Sequence, residues 1–280
     1  MNTLEFVPIW HRYLDQPKEV SLETFAYCNA ACTFCPYPTL ERIGQKMPDQ
    51  LIARLIGEMA TWETEFHFSP FKVNEPFLDK RLKDICQKFE ADVSLGTLRL
   101  FTNGSALTLT NIKWVAELKR LTHLWISLNE HRPDEYQKLM AIPFERTAKN
   151  LDALHKEVDE GRFTHDVMLS RVGNNIEFQH YCHERWPLFG QHMIKKDAWI
   201  SFTEPDDGRI PNAPCIRWFE LSIMANGVVS LCCMDGTGEY SIGNVNERSL
   251  LEVYNDPVYR ERREGLWNRK KVMPCSRCSY

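Results

Sequence analysis

Cys28-Asn29-Ala30-Ala31-Cys32-Thr33-Phe34-Cys35-Pro36 is the stretch from which the rest of the chain is best read. Three thiols fall within eight residues in the spacing C-x3-C-x2-C, and no fourth Cys or His stands beside them. A structural zinc site wants four protein ligands, commonly as two matched pairs. A lone trio on one loop can instead hold three irons of a [4Fe–4S] cube and leave the fourth iron open to a small molecule. Three unrelated cysteines packing as small hydrophobes are the bland alternative, and such tight spacing argues against it.

Composition sets the frame around that loop. The chain has 280 residues, 43% hydrophobic and 26% charged, with a net charge of −4. That is enough for one large domain, or one domain and a small appendage, without staples. The charge gives no sign of a nucleic-acid surface. The basic runs 260–263 and 269–271 read as solvated helix faces. No signal peptide opens the sequence and no segment approaches a membrane span of about 18 apolar residues. Ten cysteines without a secretion signal are expected in the cytoplasm, where clustered thiols mean metal or catalysis.

Apolar, β-rich runs at 21–27, 66–71, 98–102, 124–128, 167–172 and 198–202 alternate with helical patterns at 48–61, 78–89, 109–120, 145–158 and 174–184. This alternation predicts an α/β fold with a parallel sheet and helices outside it. The trio falls just after the first strand. Three prolines and a glycine between Glu204 and Pro214 read as a linker. They divide a domain 1–204 from a smaller one, 205–280. In the latter, Asn226-Gly227 predicts a hairpin between 219–224 and 228–232. Ser249, three residues before Glu252, caps a predicted helix 249–266.

The trio followed by Pro36 resembles the signature of the radical S-adenosylmethionine (SAM) superfamily. The resemblance implies a partial (β/α)6 barrel with the cluster at the C-terminal end of its strands. It also implies that the open iron binds SAM, whose reductive cleavage gives a 5′-deoxyadenosyl radical that abstracts hydrogen from substrate. A flavodoxin or ferredoxin would be the reducing partner. Asn74-Glu75-Pro76 is similar to the family's Gly-Glu-Pro at the end of strand two, where Glu75 would hold the SAM ammonium by a charge-assisted hydrogen bond. Thr102 and Asn103 end strand three, and Ser127 and Asn129 end strand four. All four are expected to line the SAM or substrate cavity. Arg171 on strand five, if it points into the barrel, must find an anion such as the SAM carboxylate. Phe34 and Tyr37 are candidates to shield the adenine.

Five further cysteines, Cys215, Cys232, Cys233, Cys275 and Cys278, crowd the last segment. Cys215, one of the Cys232/Cys233 pair, Cys275 and Cys278 could complete a second [4Fe–4S] cube or a tetrahedral zinc. The spacing from Gly227 favours Cys232, with Cys233 turned the other way along the strand. The text around these residues resembles the SPASM/twitch extensions of radical SAM enzymes. Cysteine spacing and length are similar to those of the twitch-type aminocyclitol dehydrogenases of the kind found in butirosin biosynthesis. That implies one auxiliary cluster, hence two [4Fe–4S] clusters in all.

Only 27 residues precede Cys28, too few for a leader-binding domain of even about 40 residues. A small-molecule substrate is therefore expected, although a peptide-modifying maturase is an alternative. A fully ligated cube can accept an electron, so the expected reaction is oxidation of an alcohol. His67, His131, Glu204 and Asp235 form the pool of bases. The second reading is an epimerase with Cys233 or Cys182 as hydrogen donor. The third is a metal-bearing binding or electron-transfer module, against which the open three-cysteine site argues.

Overall fold

Alternation along the strands separates two faces of one sheet. In β3 (Gly96–Thr102) Leu98 and Leu100 are buried among helices, while Thr97, Arg99 and Phe101 look the other way and stay half-exposed. The same rule holds for β1 (Glu19–Leu22), where Val20 and Leu22 face the helices. The remaining parallel strands are β2 (Phe66–Ser69), β4 (Leu121–Ser127), β5 (Asp166–Val172) and β6 (Gly190–Ile194). The computed structural model describes residues 7–194 and 210–278.

Each connection from β1 through β6 carries helix, the usual crossover between parallel strands. These are α2 (Asp49–Met59), α3 (Leu82–Asp92), α4 (Leu109–Ala116), the pair α5 (Pro133–Met140) and α6 (Phe144–Asp159), and α7 (Ile176–Arg185). Their apolar stripes close one core with the outward strand residues. A short helix α1 (Val7–Tyr13) precedes β1.

The sheet does not stop at β1. Strand β7 (Glu220–Ile223) pairs with it in parallel, and β8 (Val228–Ser230) and β9 (Ser241–Asn244) follow as an antiparallel meander. The order is β6-β5-β4-β3-β2-β1-β7-β8-β9. A partial α/β barrel thus runs into a C-terminal hairpin region through one continuous hydrogen-bonded sheet. Helices α8 (Leu250–Tyr254) and α9 (Pro257–Glu264) complete it.

Several expectations shift. The first strand lies at Glu19–Leu22 rather than 21–27, because Glu23 turns its carboxylate to Arg42 at 2.6 Å and the chain leaves the sheet. The expected strand 198–202 lies outside the described residues, and the sixth strand here is Gly190–Ile194. The expected helix 249–266 is two helices, since Pro257 disfavours helical geometry at Asp256 and cannot donate its own N–H. The Ser249–Glu252 capping box is present. Among the described residues no helix is long and apolar enough to cross a membrane.

Candidate active site

The cysteine trio sits in the loop leaving β1. Its backbone is fastened at two points to the end of α5: Ala31 N donates to Met140 O at 3.1 Å, and Thr33 N to Leu139 O at 3.0 Å. Cys35 N closes a turn onto Cys32 O at 3.0 Å. The Cys28 sulfur accepts from Ala30 N at 3.4 Å, and the Cys32 thiol lies 3.4 Å from the Met140 sulfur. Burial pushes the Cys28 thiol up to about 12, reinforced by the Glu75 carboxylate. It pushes Cys35 up to about 11 and raises Cys32 too, the last reinforced by both other thiols. Such thiols stay protonated until a cation replaces the proton.

A buried polar network joins this loop to the ends of β2 and β3. Glu75 is only 2% exposed. Its carboxylate accepts from Asn103 N at 2.6 Å, the Thr102 hydroxyl at 2.7 Å and Phe77 N at 3.2 Å. Burial nevertheless wins and raises its pKa to about 7. Asn103 Nδ2 donates to Asn29 Oδ1 at 3.0 Å, and Asn29 in turn donates to Ser105 at 2.9 Å. Beside Glu75, the Asn74 amide nitrogen is buried with no acceptor among the described residues. A raised carboxylate next to an orphaned donor suits a ligand that carries an ammonium and a carboxylate together.

The second thiol set gathers where the hairpin meets β1. Cys215, Cys232, Cys275 and Cys278 are all buried. Burial raises Cys215, and Cys275 and Cys278 raise it further. Burial likewise raises Cys232, with Cys233, Cys215 and Cys275 reinforcing. Cys233 has different surroundings: its sulfur lies 3.6 Å from that of Met234, and after burial the charges acting on it are Arg217, Glu220, Lys72 and Glu19. Among the described residues no three His, Cys, Asp or Glu side chains are drawn tightly enough together to grip a single ion. A [4Fe–4S] cube holds its ligand sulfurs farther apart than a single ion does.

Comparison with known proteins now bears on both thiol sets. A family model described as radical SAM superfamily matches residues 22–182, and one described as an iron–sulfur cluster-binding SPASM domain matches residues 215–279. The chain belongs to the radical SAM superfamily. The family's cofactors, SAM and iron–sulfur clusters, accord with the cysteine loop and the orphaned donor beside Glu75. No curated protein matches the sequence. Among solved structures, BtrN in complex with AdoMet and 2-DOIA superposes with a TM-score of 0.64 at 15% identity, over 94% of this chain and 93% of that one. SuiB of Streptococcus suis bound to S-adenosylmethionine gives 0.66 at 15%, over 98% and 74%. Native anSMEcpe with bound AdoMet gives 0.67 at 12%, over 93% and 87%. These are likenesses of fold.

Not every expected residue of the radical SAM site stands where it was placed. Ser127 faces the inner side of the sheet, in register with Ser170. Asn129 is buried in the left-handed region at φ 64, accepts from Val172 N at 3.0 Å and lies 3.3 Å from the Met140 sulfur. Arg171 does not point into the barrel. It alternates with Ser170, lies over the Phe178 ring of α7 and donates to the carbonyls of Val172 and Gly173. Tyr37 and Pro76 are buried; Tyr37 packs beside Cys28 and Cys35, and half-buried Phe34 joins the main core.

The pool of bases and donors narrows. Cys182 is fully buried among core side chains of α7, away from the inner face, so it has no reach to a substrate. The Asp235 carboxylate is taken up by Gly238 N, Glu239 N and Tyr240 N at 2.9 to 3.1 Å, which makes it the clasp of a loop rather than a base. His131 packs against Tyr181 of α7, 4.9 Å between ring centres. His67 is on the inner face but at the N-terminal end of β2, bonded to Thr97 at 2.7 Å. Burial, with Arg99 and Lys18, lowers its pKa to about 4. Glu204 lies outside the described residues.

Two features of the inner face escaped sequence reasoning. Phe71, Phe101, Trp125 and His192 form a row of touching rings, with centres 4.9 to 5.8 Å apart. The period-two alternation of β3 and β4 carried that signal. Lys72, 3% exposed, reaches from the end of β2 to the Ser222 and Ser230 hydroxyls at 2.8 Å and the Cys232 carbonyl at 3.5 Å. Only the fold brings those partners together.

Proposed function

We propose that this radical SAM enzyme oxidises an alcohol carbon of a small molecule, such as a sugar, aminocyclitol or related natural-product intermediate, using two [4Fe–4S] clusters. The observation that carries the reading is the second thiol set, four buried cysteines beside the strand whose loop bears the first. When bound, SAM and the first cluster would supply radical hydrogen abstraction, and the auxiliary cluster would take up the electron left on the substrate carbon as a proton goes to base or solvent.

The chain's own residues set the geometry. Cys28, Cys32 and Cys35 hold the first cluster, on a loop that α5 keeps in place. Glu75 would hold the SAM ammonium, and Asn74 Nδ2 would donate to the SAM carboxylate. The Asn29–Asn103–Ser105 chain keeps that pocket in register with the cysteine loop. The ring row from Phe71 to His192 offers an aromatic wall for substrate. Cys215, Cys232, Cys275 and Cys278 hold the auxiliary cluster. A small acidic electron carrier of the flavodoxin or ferredoxin type is the proposed reductant. The likeness to BtrN, whose structure holds AdoMet and 2-DOIA, supports a small ligand.

Cys233 favours a second reading. It is half-buried and turned toward charges carried by the inner face, Glu19 and Glu220, where a hydrogen donor for an epimerase would stand. Anaerobic reconstitution followed by turnover in deuterated water separates the two. Oxidation gives a product lighter by two hydrogens and consumes SAM stoichiometrically. Deuterium on carbon, with Cys233 essential, would replace the oxidase reading by the epimerase.

A further inference from the structure

Among the described residues, two indole N–H groups are buried without a well-formed hydrogen bond beside the second thiol set. Trp218 follows Cys215 in a single helical turn, and Trp10 lies on α1, more than two hundred residues earlier. Neither Nε1 makes a hydrogen bond of good geometry among the described residues. Both rings pack in the apolar cluster that contains Cys215 and Cys275. A buried donor left unpaired is rare and calls for a reason. An indole can only donate, so neither ring can satisfy itself by accepting.

The surroundings point to sulfur as the missing acceptor. Trp218 stands one turn after Cys215, and the Cys215 and Cys275 sulfurs lie in the same apolar cluster as both indole rings. Helix α1 is brought to this place by specific ties. The Tyr254 hydroxyl donates to Tyr13 O at 2.6 Å, Asn255 Nδ2 to Asp15 O at 2.9 Å, and Arg260 pairs with Asp15 at 2.6 Å.

We propose that Trp10 and Trp218 are positioning residues of the auxiliary centre, whose sulfurs take their N–H groups, so that α1 is a working part of the electron acceptor. The proposal rests on the reading that Cys215, Cys232, Cys275 and Cys278 hold an iron–sulfur cluster. A hydrogen bond to cluster sulfur stabilises the more negative, reduced state more than the oxidised one and raises the potential. Burial acts in the opposite sense. The two indoles therefore offset the cost of placing a charged acceptor in an apolar cluster and make it a better sink for the substrate's electron.

Trp10→Phe and Trp218→Phe keep a ring in place and delete the N–H. The measurement is a redox titration of the reconstituted full chain followed by electron paramagnetic resonance. It is made on a background with Cys28, Cys32 and Cys35 replaced by Ala, so that only the auxiliary signal remains. Each Trp→Phe change is expected to move the potential to a more negative value, and the double variant further still, at unchanged iron content. If Trp218→Phe loses iron, Trp10→Phe alone carries the test. Potentials equal to the parent's in the iron-loaded variants overturn the proposal and leave the cluster reading standing. Zinc, or no metal, at these four cysteines in the parent overturns the cluster reading, and the proposal with it.

Discussion

Replacing Glu75 by Gln is the sharpest probe of the SAM pocket. The change is nearly isosteric, removes the charge and keeps one carbonyl oxygen. In the wild type, one carboxylate oxygen serves Thr102 and Phe77 N, and the other serves Asn103 N at 2.6 Å. A Gln amide oxygen can serve the first pair, which leaves its NH2 facing the Asn103 N–H, at about 1–3 kcal/mol for the lost bond. Against this, the raised pKa of about 7 means that ionised Glu75 is costly in the apo protein. The folded carboxyl binds its proton more tightly than the unfolded one. Its contribution is therefore present below the unfolded value near 4.5 and lost as pH rises through 7, in all about 3 kcal/mol. Apo Glu75→Gln should thus be less stable than wild type at pH 5 and close to it at pH 8. SAM binding should show the opposite trend, because the ammonium needs the ionised form. Wild-type affinity is expected to climb from pH 6 to 8. Glu75→Gln should bind roughly ten- to a hundred-fold more weakly at pH 8, the equivalent of a charged hydrogen bond worth about 1.5–3 kcal/mol, and with no such climb. Anaerobic calorimetry on reconstituted protein at three pH values measures this. Equal affinities with equal pH slopes in the two proteins would refute the assignment of Glu75 to the ammonium.

Changing Cys28, Cys32 and Cys35 together to Ala should abolish 5′-deoxyadenosine formation and halve the iron from about eight to about four per chain, counted by chemical iron analysis. Arg171→Ala should leave SAM affinity unchanged, since the guanidinium lies over Phe178 and outside the barrel, while lowering the urea midpoint. His67 is held neutral by burial, and its folded pKa near 4 lies below the unfolded value of about 6.5. Stability should therefore fall as pH drops through that window. Urea melts of His67→Asn at pH 7 and 4.5 should show a smaller loss than those of wild type.

The parallel core was legible because its strands put Val, Ile and Leu on every second position, and the cysteine loop because its spacing has few other uses. The elements that were missed had a physical cause. Strand β1 carries Glu19 and Ser21 on its inner face, so its pattern reads as a loop start, and β6, Gly190-Gln-His-Met-Ile194, has one β-branched residue. Helix α5 is only eight residues long, though Pro133 at its first turn and Asp134 and Glu135 beside it were usable signals. Glu75 and the cysteines could be singled out from sequence because chemistry and position coincide in one motif. Lys72 could not, because its hydroxyl partners Ser222 and Ser230 come from strands 150 and 158 residues away. Arg171 and Asp235 were misassigned because residue type alone does not say which face of the sheet, or which backbone donors, a side chain will meet.

The pairing of β1 with β7 bears on how the chain is made. Lys18 meets Glu220 at 2.5 Å across 202 residues of sequence, and Glu19 lies opposite Glu220 in the strand register. As the polypeptide leaves the ribosome, β1 can join β2 early but must wait for β7. Until then it is a bare edge next to the cysteine loop. Contacts this remote in sequence are slow to form, and an unpaired edge invites pairing with another chain. The charges of Lys18 and Glu19 are therefore placed where they protect the newborn chain as well as the finished one. Glu220 and Arg217, arriving together, pair with each other at 2.9 Å, and their arrival turns that guard into a buried ion cluster that locks the last strands on. A truncation just before β7 should accordingly yield aggregates rather than a smaller soluble barrel.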